Sequence, residues 1–251
     1  MTAMAGDLGG GADLLEGVDL LVFDKDGTLI EFHLMWGGWV GVLADGLEAT
    51  TGLSVRDGLY PLLGVDPANG RVHAHGLLAA TPMSRIHDVV ESYLVESGVA
   101  PDRAAAAMAT AWHAPDPVAL AQPVTDLRGL FARLRRRVGT FAVATADDRD
   151  PTERTLDALG VANEFAALAC ADDGIRSKPE PDPVLHLCRL LGVPPERTAV
   201  VGDSPSDLRM GRAAGTRRNI AVLTGVGDVA ALEPLADAVL ESIADLAPEA
   251  R

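Results

Sequence analysis

Apolar positions follow two patterns along the chain, and the patterns divide it. Short continuous apolar runs bounded by turn residues lie at 17–23, 140–144, 165–170, 198–201 and 219–223. Each predicts a strand buried on both faces, as in a parallel sheet. A last short strand is read at 238–240. Between these runs the spacing is helical: Leu127, Leu130, Phe131, Leu134 and Val138 form one stripe, and Val184, Leu185, Leu187, Cys188 and Leu191 another. Asp150-Pro151-Thr152-Glu153, Asp182-Pro183, Ser204-Pro205 and Asp228 mark helix starts, and Gly160 and Gly215 mark ends. Alternating strands and helices predict right-handed crossovers into a parallel sheet with helices on both faces, an α/β doubly wound architecture.

Residues 34–117 break that alternation. Trp39, Val42, Leu43 and Leu47 recur at helical spacing and Gly52 stops them. A loop-rich stretch with Pro61, Pro67 and Gly70 follows to about Ala80. Thr81-Pro82 opens a helix with Ile86, Val89, Val90, Tyr93 and Leu94 on one face, ended by Gly98, and an alanine-rich helix covers 101–114. The expected organisation is a frayed tail at 1–17, a Rossmann-like core at 18–33 and 118–251, and an inserted helical domain at 34–117. The aromatic, glycine-rich segment from Glu31 to Trp39 reads either as a hinge or lid, or as Trp36 and Trp39 anchoring a helix in a core.

Charge and cysteine content narrow the class. At 251 residues the chain can bury a sizeable core. A formal net charge of −15 argues against nucleic acid and against anionic membrane surfaces as partners. No apolar stretch approaches the ~20 residues of a membrane helix, and the first 17 residues have no secretory pattern, so the cytoplasm is the expected compartment. Cys170 and Cys188 lack metal-site spacing and read as buried small hydrophobes. Lys25 and Lys178 are the only lysines; every other fixed cation is arginine. Arg133, Arg135, Arg136 and Arg137 read as a solvated helix face, and His73 and His75 as solvated more readily than as a metal pair.

The chemistry is expected where the strands end. Leu20-Leu21-Val22-Phe23 runs straight into Asp24-Lys25-Asp26-Gly27-Thr28. Residues two apart on an extended chain share a direction, so Asp24 and Asp26 are expected to face one site and Lys25 another. Thr145 follows the second strand, Lys178 lies in the loop after the third, and Asp203 and Asp207 follow the fourth. In a parallel sheet those ends share one edge, where ligands bind. Clustered carboxylates call for a hard cation, and Mg2+ binds through one or two carboxylates, waters and phosphate oxygens. Lys178, the Thr145 hydroxyl and the backbone N–H groups of Gly27, Thr28 and Ala146 are the expected phosphate donors. Asp24 then reads as the nucleophile and Asp26 as the group that protonates the leaving oxygen and activates water.

Four motifs carry a resemblance: Asp24-Lys25-Asp26-Gly27-Thr28, the strand ending in Thr145, Lys178-Pro179, and Gly202-Asp203-Ser204-Pro205-Ser206-Asp207. Together they resemble the phosphatase branch of the haloacid dehalogenase-like hydrolases, and in particular the phosphoglycolate phosphatase group. The resemblance implies a five-stranded sheet of order 5-4-1-2-3, a helical cap inserted after the first motif, and a small phosphorylated metabolite as substrate. It assigns Mg2+ to Asp24, the Asp26 carbonyl and Asp203, with Asp207 behind them or paired with Lys178. Asp26 separates the chain from family members that displace halide or pump ions. A phosphomutase on the same core, or a silent phosphate-binding protein, stays open at this point; a phosphonatase would need a lysine in the insert, which has none. Arg56, Arg71, Arg85, Arg103 and His87 are the insert's candidates for meeting a substrate's anionic end. Monomer and homodimer are equally compatible with the sequence.

Overall fold

In the computed structural model, which describes residues 14–73, 76–80, 83–113 and 118–248, the first apolar run lies inside a sheet. Strand β1 (Leu20–Phe23) is buried at every position. It pairs in parallel with β2 (Thr140–Ala144) on one side and β4 (Thr198–Gly202) on the other, with Phe23 level with Val143 and Val201. Strands β3 (Ala167–Ala169), β5 (Arg218–Val222) and β6 (Ala238–Leu240) extend the sheet to the order β3-β2-β1-β4-β5-β6, all parallel. This is the expected α/β order with one strand added: β6 continues the edge beyond β5.

Alternate residues of β1 serve opposite faces. Leu20 and Val22 pack with Val184, Leu187, Cys188, Met210 and Ala214, from α8 (Asp182–Leu191) and α9 (Pro205–Ala214). On the other face Phe23 meets Phe131, Phe141 and Phe165 edge-on, at 5.7, 6.2 and 6.5 Å between ring centroids. Phe131 belongs to α6 (Leu127–Leu134), which Asp126 caps by accepting from the Gly129 N–H. Helix α7 (Arg149–Ala158) starts one residue before the expected cap, with Asp148 rather than Asp150 at the cap position.

The chain separates into two compact units, Met1–Glu31 with Pro123–Arg251, and Phe32–Gln122. The tail expected over 1–17 does not reach that far: Leu15 is buried and the Glu16 carbonyl accepts from Arg217 Nε at 2.7 Å. Residues 1–13, His75 and the Thr81-Pro82 cap lie outside the described residues.

The second unit is built from α1 (Phe32–Thr51), α2 (Arg56–Leu63), α3 (Leu77–Ala80), α4 (Met83–Glu96) and α5 (Pro101–Ala111). Helix α1 runs through the aromatic segment. Trp39 is buried, its Nε1 donates to the His113 carbonyl at 2.7 Å, and its ring meets Trp36 and Trp112 edge-on. Gly37 is a packing residue rather than a hinge, since a Cβ there would stand 2.4 Å from the Gly70 carbonyl oxygen. Helix α2 forms where a loop was expected. Pro61 sits inside it, but Leu59, Tyr60 and Leu63 are buried on one face and Gly64 ends it at φ 74°. The short helix α10 (Val229–Leu232) belongs to the first unit, with Asp228 as its cap. No described helix is long and apolar enough to cross a membrane.

Two outcomes follow from this packing. Phe131→Ala should lower the unfolding free energy by about 3–5 kcal/mol in urea titration, the usual range for a buried aromatic; a loss below about 1 kcal/mol would contradict the aromatic cluster. Cys170 and Cys188 are free and buried, and burial pushes the Cys170 thiol up to about 11. Both thiols should resist iodoacetamide at neutral pH until the protein is unfolded, and rapid labelling of the native chain would contradict their placement.

Candidate active site

Asp24 stands at the end of β1 because its own N–H still donates to the Val201 carbonyl, at 2.9 Å. The register then sets its neighbours. Phe23 lies opposite Val143 and Val201, so Asp24 is level with Ala144 and Gly202, and Thr145 and Asp203 lie one residue further along. The chain turns back directly afterwards: the Lys25 carbonyl accepts from the N–H groups of Thr28, Leu29 and Ile30. Gly27 makes the turn at φ 82°, and a Cβ there would fall 2.7 Å from the Asp203 carboxylate and 2.8 Å from Gly225 Cα. Only glycine allows that approach.

Lys178 organises the carboxylates. Its ammonium donates to Asp24 Oδ1 at 2.5 Å and to Asp207 Oδ1 at 2.6 Å, and all three side chains are buried. Asp207 is held from its other end. Its Oδ2 accepts from the Ser204 N–H at 3.1 Å and the Ser204 hydroxyl at 2.6 Å, as part of the capping box that starts α9. Asp203 accepts from the Val226 N–H at 2.8 Å and the Thr28 hydroxyl at 3.4 Å. The Thr224 hydroxyl donates to the Gly27 carbonyl, which ties the loop after β5 to the same turn.

Burial dominates the electrostatics. It pushes the Asp24 carboxyl up to about 7, against the opposing pull of Lys178. Burial likewise holds Asp203 well above the usual carboxylate range, reinforced by the negative charges of Asp24 and Asp207. For Lys178 burial works the other way, but Asp207 and Asp24 outweigh it and the net shift is upward.

Asp24, Asp203 and Asp207 each offer a carboxylate oxygen within 4.8 Å of the others. An all-oxygen donor set of this charge fits a hard divalent cation. The three are not equivalent. Both Asp207 oxygens are engaged by Lys178 and Ser204, whereas Asp24 Oδ2 accepts from no group among the described residues.

Asp24, Lys178, Asp203 and Asp207 thus converge, and Thr145 ends the neighbouring strand, where its hydroxyl accepts from the Asp147 N–H at 3.1 Å. Lys25 departs from the expected arrangement. It does not point away from the pair: its Nζ lies 2.9 Å from both Asp26 oxygens, and Asp26 also feels the charge of Lys178 and adds to the repulsion on Asp24. The N–H groups of Gly27 and Thr28, expected to bind phosphate, are committed to the turn: they donate to the Ile30 and Lys25 carbonyls at 2.9 and 3.3 Å. The N–H groups of Lys25 and Asp26 donate to no acceptor among the described residues, and they lie nearest to Asp24 in the chain. Among the insert's candidates, Arg56 is occupied by Asp45 and the Tyr60 hydroxyl, and His87 packs edge-on against Trp112.

Sequence reasoning did not single out Asp147, Ser204 as an anchor of Asp207, or the 224–227 loop. Only Ser204 carried a signal, the capping-box spacing to Asp207.

Over 200 residues the chain is 30% identical to a phosphoglycolate phosphatase of Rhodospirillum rubrum, covering 78% of this chain and 76% of that protein. It is 34% identical over 98 residues to an N-acetylmuramic acid 6-phosphate phosphatase of Pseudomonas aeruginosa, a match over 39% of this chain that spans only 43% of that relative's length. A crystal structure of a HAD-superfamily hydrolase, subfamily IA, from Geobacter sulfurreducens shares the fold, with a TM-score of 0.64 over 92% of this chain and 95% of that one, at 18% identity. The family model for haloacid dehalogenase-like hydrolase matches residues 18–215. That span runs from the entry to β1 to the glycine after α9 and includes every charged side chain of the Lys178 cluster, and so the chain belongs to the haloacid dehalogenase-like hydrolases.

Proposed function

We propose that the chain is a Mg2+-dependent phosphatase that hydrolyses the phosphate monoester of a small metabolite. The observation that carries this reading is the Lys178 ammonium seated between Asp24 and Asp207, with the unengaged Asp24 Oδ2 beside it and a second carboxyl, Asp26, two residues on. The names of the two relatives, both phosphatases of phosphorylated metabolites, favour phosphate esters over other hydrolase substrates.

In this reading the Asp24 carboxylate attacks phosphorus. The bond from phosphorus to the ester oxygen breaks, and that oxygen takes the proton of the Asp26 carboxyl. A water then gives its proton to the Asp26 carboxylate and attacks the phosphorus of the aspartyl-phosphate, and the bond to Asp24 breaks to release phosphate. Lys178, the Thr145 hydroxyl and the N–H groups of Ala146, Lys25 and Asp26 meet the phosphate oxygens. Asp24, the Asp26 carbonyl and Asp203 would hold Mg2+, while Asp207 keeps Lys178 in place. The cation supplies positive charge to the carboxylates and to the phosphate oxygens. The helical unit Phe32–Gln122 is read as the cap that selects the substrate.

Phosphate release from a panel of small phosphorylated metabolites, phosphoglycolate included, should depend on Mg2+ and stop with chelator; a folded protein that releases none would contradict the reading. Asp24→Asn should lower kcat by at least about a thousandfold, because it removes the attacking group; activity within tenfold of the parent would exclude Asp24 as nucleophile. Asp26→Asn should lower kcat about 10²–10⁴-fold on alkyl phosphates and far less on p-nitrophenyl phosphate, whose leaving group needs no proton. Equal losses on both would remove Asp26 from the acid role.

Stability gives a further readout. The Asp24 carboxyl lies at about 7 when folded against an ordinary 3.8, so between those values the folded state binds more protons than the unfolded state. Its contribution to stability is therefore present at low pH and lost as pH rises towards 7. In chelator, Asp24→Asn should have the higher Tm at pH 8, with the gap closing towards pH 4. A parent protein at least as stable as the variant at pH 8 would contradict a carboxyl whose burial outweighs the pull of Lys178.

A further inference from the structure

Lys25 is the one charged side chain among the described residues with no exposed surface at all. An isolated ammonium in that position would be strongly disfavoured. It is held by two carboxylates: Asp26, with both oxygens at 2.9 Å, and Asp147 Oδ2 at 2.7 Å. Burial works against the Lys25 ammonium, but Asp26 and Asp147 outweigh it and keep it charged.

The two carboxylates differ in how they are fixed. Asp147 is anchored in the loop after β2: its N–H donates to the Thr145 hydroxyl at 3.1 Å, and its carbonyl accepts from the Ala171 N–H at 2.9 Å. Lys25 itself belongs to the turn whose carbonyl closes on three N–H groups. The Asp26 side chain, 23% exposed, has no bonded partner other than Lys25 among the described residues. The chain Thr145–Asp147–Lys25–Asp26 therefore links the end of β2 to the Asp26 carboxyl through one buried cation.

We propose that Lys25, held by Asp147, is a positioning residue that fixes the direction of the Asp26 carboxyl, so that the acid of the reaction is set from the neighbouring strand. This rests on the reading of Asp26 as the group that protonates the leaving oxygen. Lysine suits the role: its ammonium has three donors and can bridge two carboxylates from a fully buried stem. The rest of the chain uses arginine, apart from Lys178 in the same site.

A double-mutant cycle tests the link. The Asp147 side chain is 41% exposed, so Asp147→Asn keeps the fold while weakening its hold on Lys25. In the parent background it should lower kcat on an alkyl phosphate tenfold or more, leave KM within twofold, and change p-nitrophenyl phosphate turnover by less than threefold. In the Asp26→Asn background it should have no further effect, because the group it positions is gone. Lys25→Met should repeat the pattern, and where that variant does not fold, Asp147→Asn carries the test. Having only two lysines also gives a direct signature: with 15N-labelled lysine, Asp147→Asn should shift the Lys25 Nζ resonance and leave that of Lys178 in place. Equal losses of kcat in both backgrounds, or no loss on the alkyl phosphate, would overturn the positioning role while the phosphatase reading stands. A parent protein with no Mg2+-dependent turnover of either ester would overturn both.

Discussion

The fold places more negative charge at the end of its central strand than a buried site can hold unaided, and the Lys178 ammonium between Asp24 and Asp207 is the protein's answer. Asp24 and Asp203 come from adjacent strands, β1 and β4, whose register brings them within one residue of each other. Asp207 follows on the first turn of α9. Without the ammonium, three buried carboxylates would repel one another. Burial and mutual repulsion still hold Asp24 and Asp203 above the ordinary carboxylate range. That residual excess is what makes a divalent cation and a phosphate fitting occupants. In the proposed reaction a cation would lower the repulsion among the carboxylates and leave the ammonium and the Lys25 and Asp26 N–H groups for the phosphate.

Two buried lysines divide the work of charge compensation. Lys178 is bonded to Asp24 and Lys25 to Asp26, so each carboxyl of one short motif has its own ammonium; in the proposed reaction the first would serve the attacking group and the second the acid. Asp24 is steered through Asp207 and the capping box of α9, and Asp26 through Asp147 and the loop after β2. Two carboxyls of the same chemical type thereby acquire different surroundings, as the proposed division between an attacking group and a proton-moving group would require.

Much of the core was legible because it depends on local pattern. The run Leu20-Leu21-Val22-Phe23 has no polar interruption, and a strand of that kind needs neighbours on both sides. Once the alternation implied a parallel sheet, Thr145, Asp203 and Asp207 had to share the edge that follows Asp24. What was not legible depends on contacts across sequence. The expectation that Lys25 points away from Asp24 and Asp26 assumed strand geometry beyond Phe23, where the turn has already begun and Lys25 meets Asp26 instead. The Lys25–Asp147 pair, the engagement of the Gly27 and Thr28 N–H groups, and the brace from Thr224 and Val226 all follow from how loops meet, which no periodicity encodes. In the helical unit, Pro61 hid α2 and Gly37-Gly38 hid the start of α1. In both places packing overrode a residue that usually breaks helices: Leu59 and Leu63 are buried, and Gly37 lies against Gly70.

The central claim is that phosphate passes through a covalent bond to Asp24. The most direct measurement is to quench the protein during turnover of p-nitrophenyl phosphate with Mg2+, reduce with borohydride, and map the digest by mass spectrometry. An acyl phosphate at Asp24 is reduced to homoserine, so that product is expected at position 24, and its loss when Mg2+ is chelated. Steady turnover with Asp24 unmodified, or reduction at another carboxyl, would contradict it.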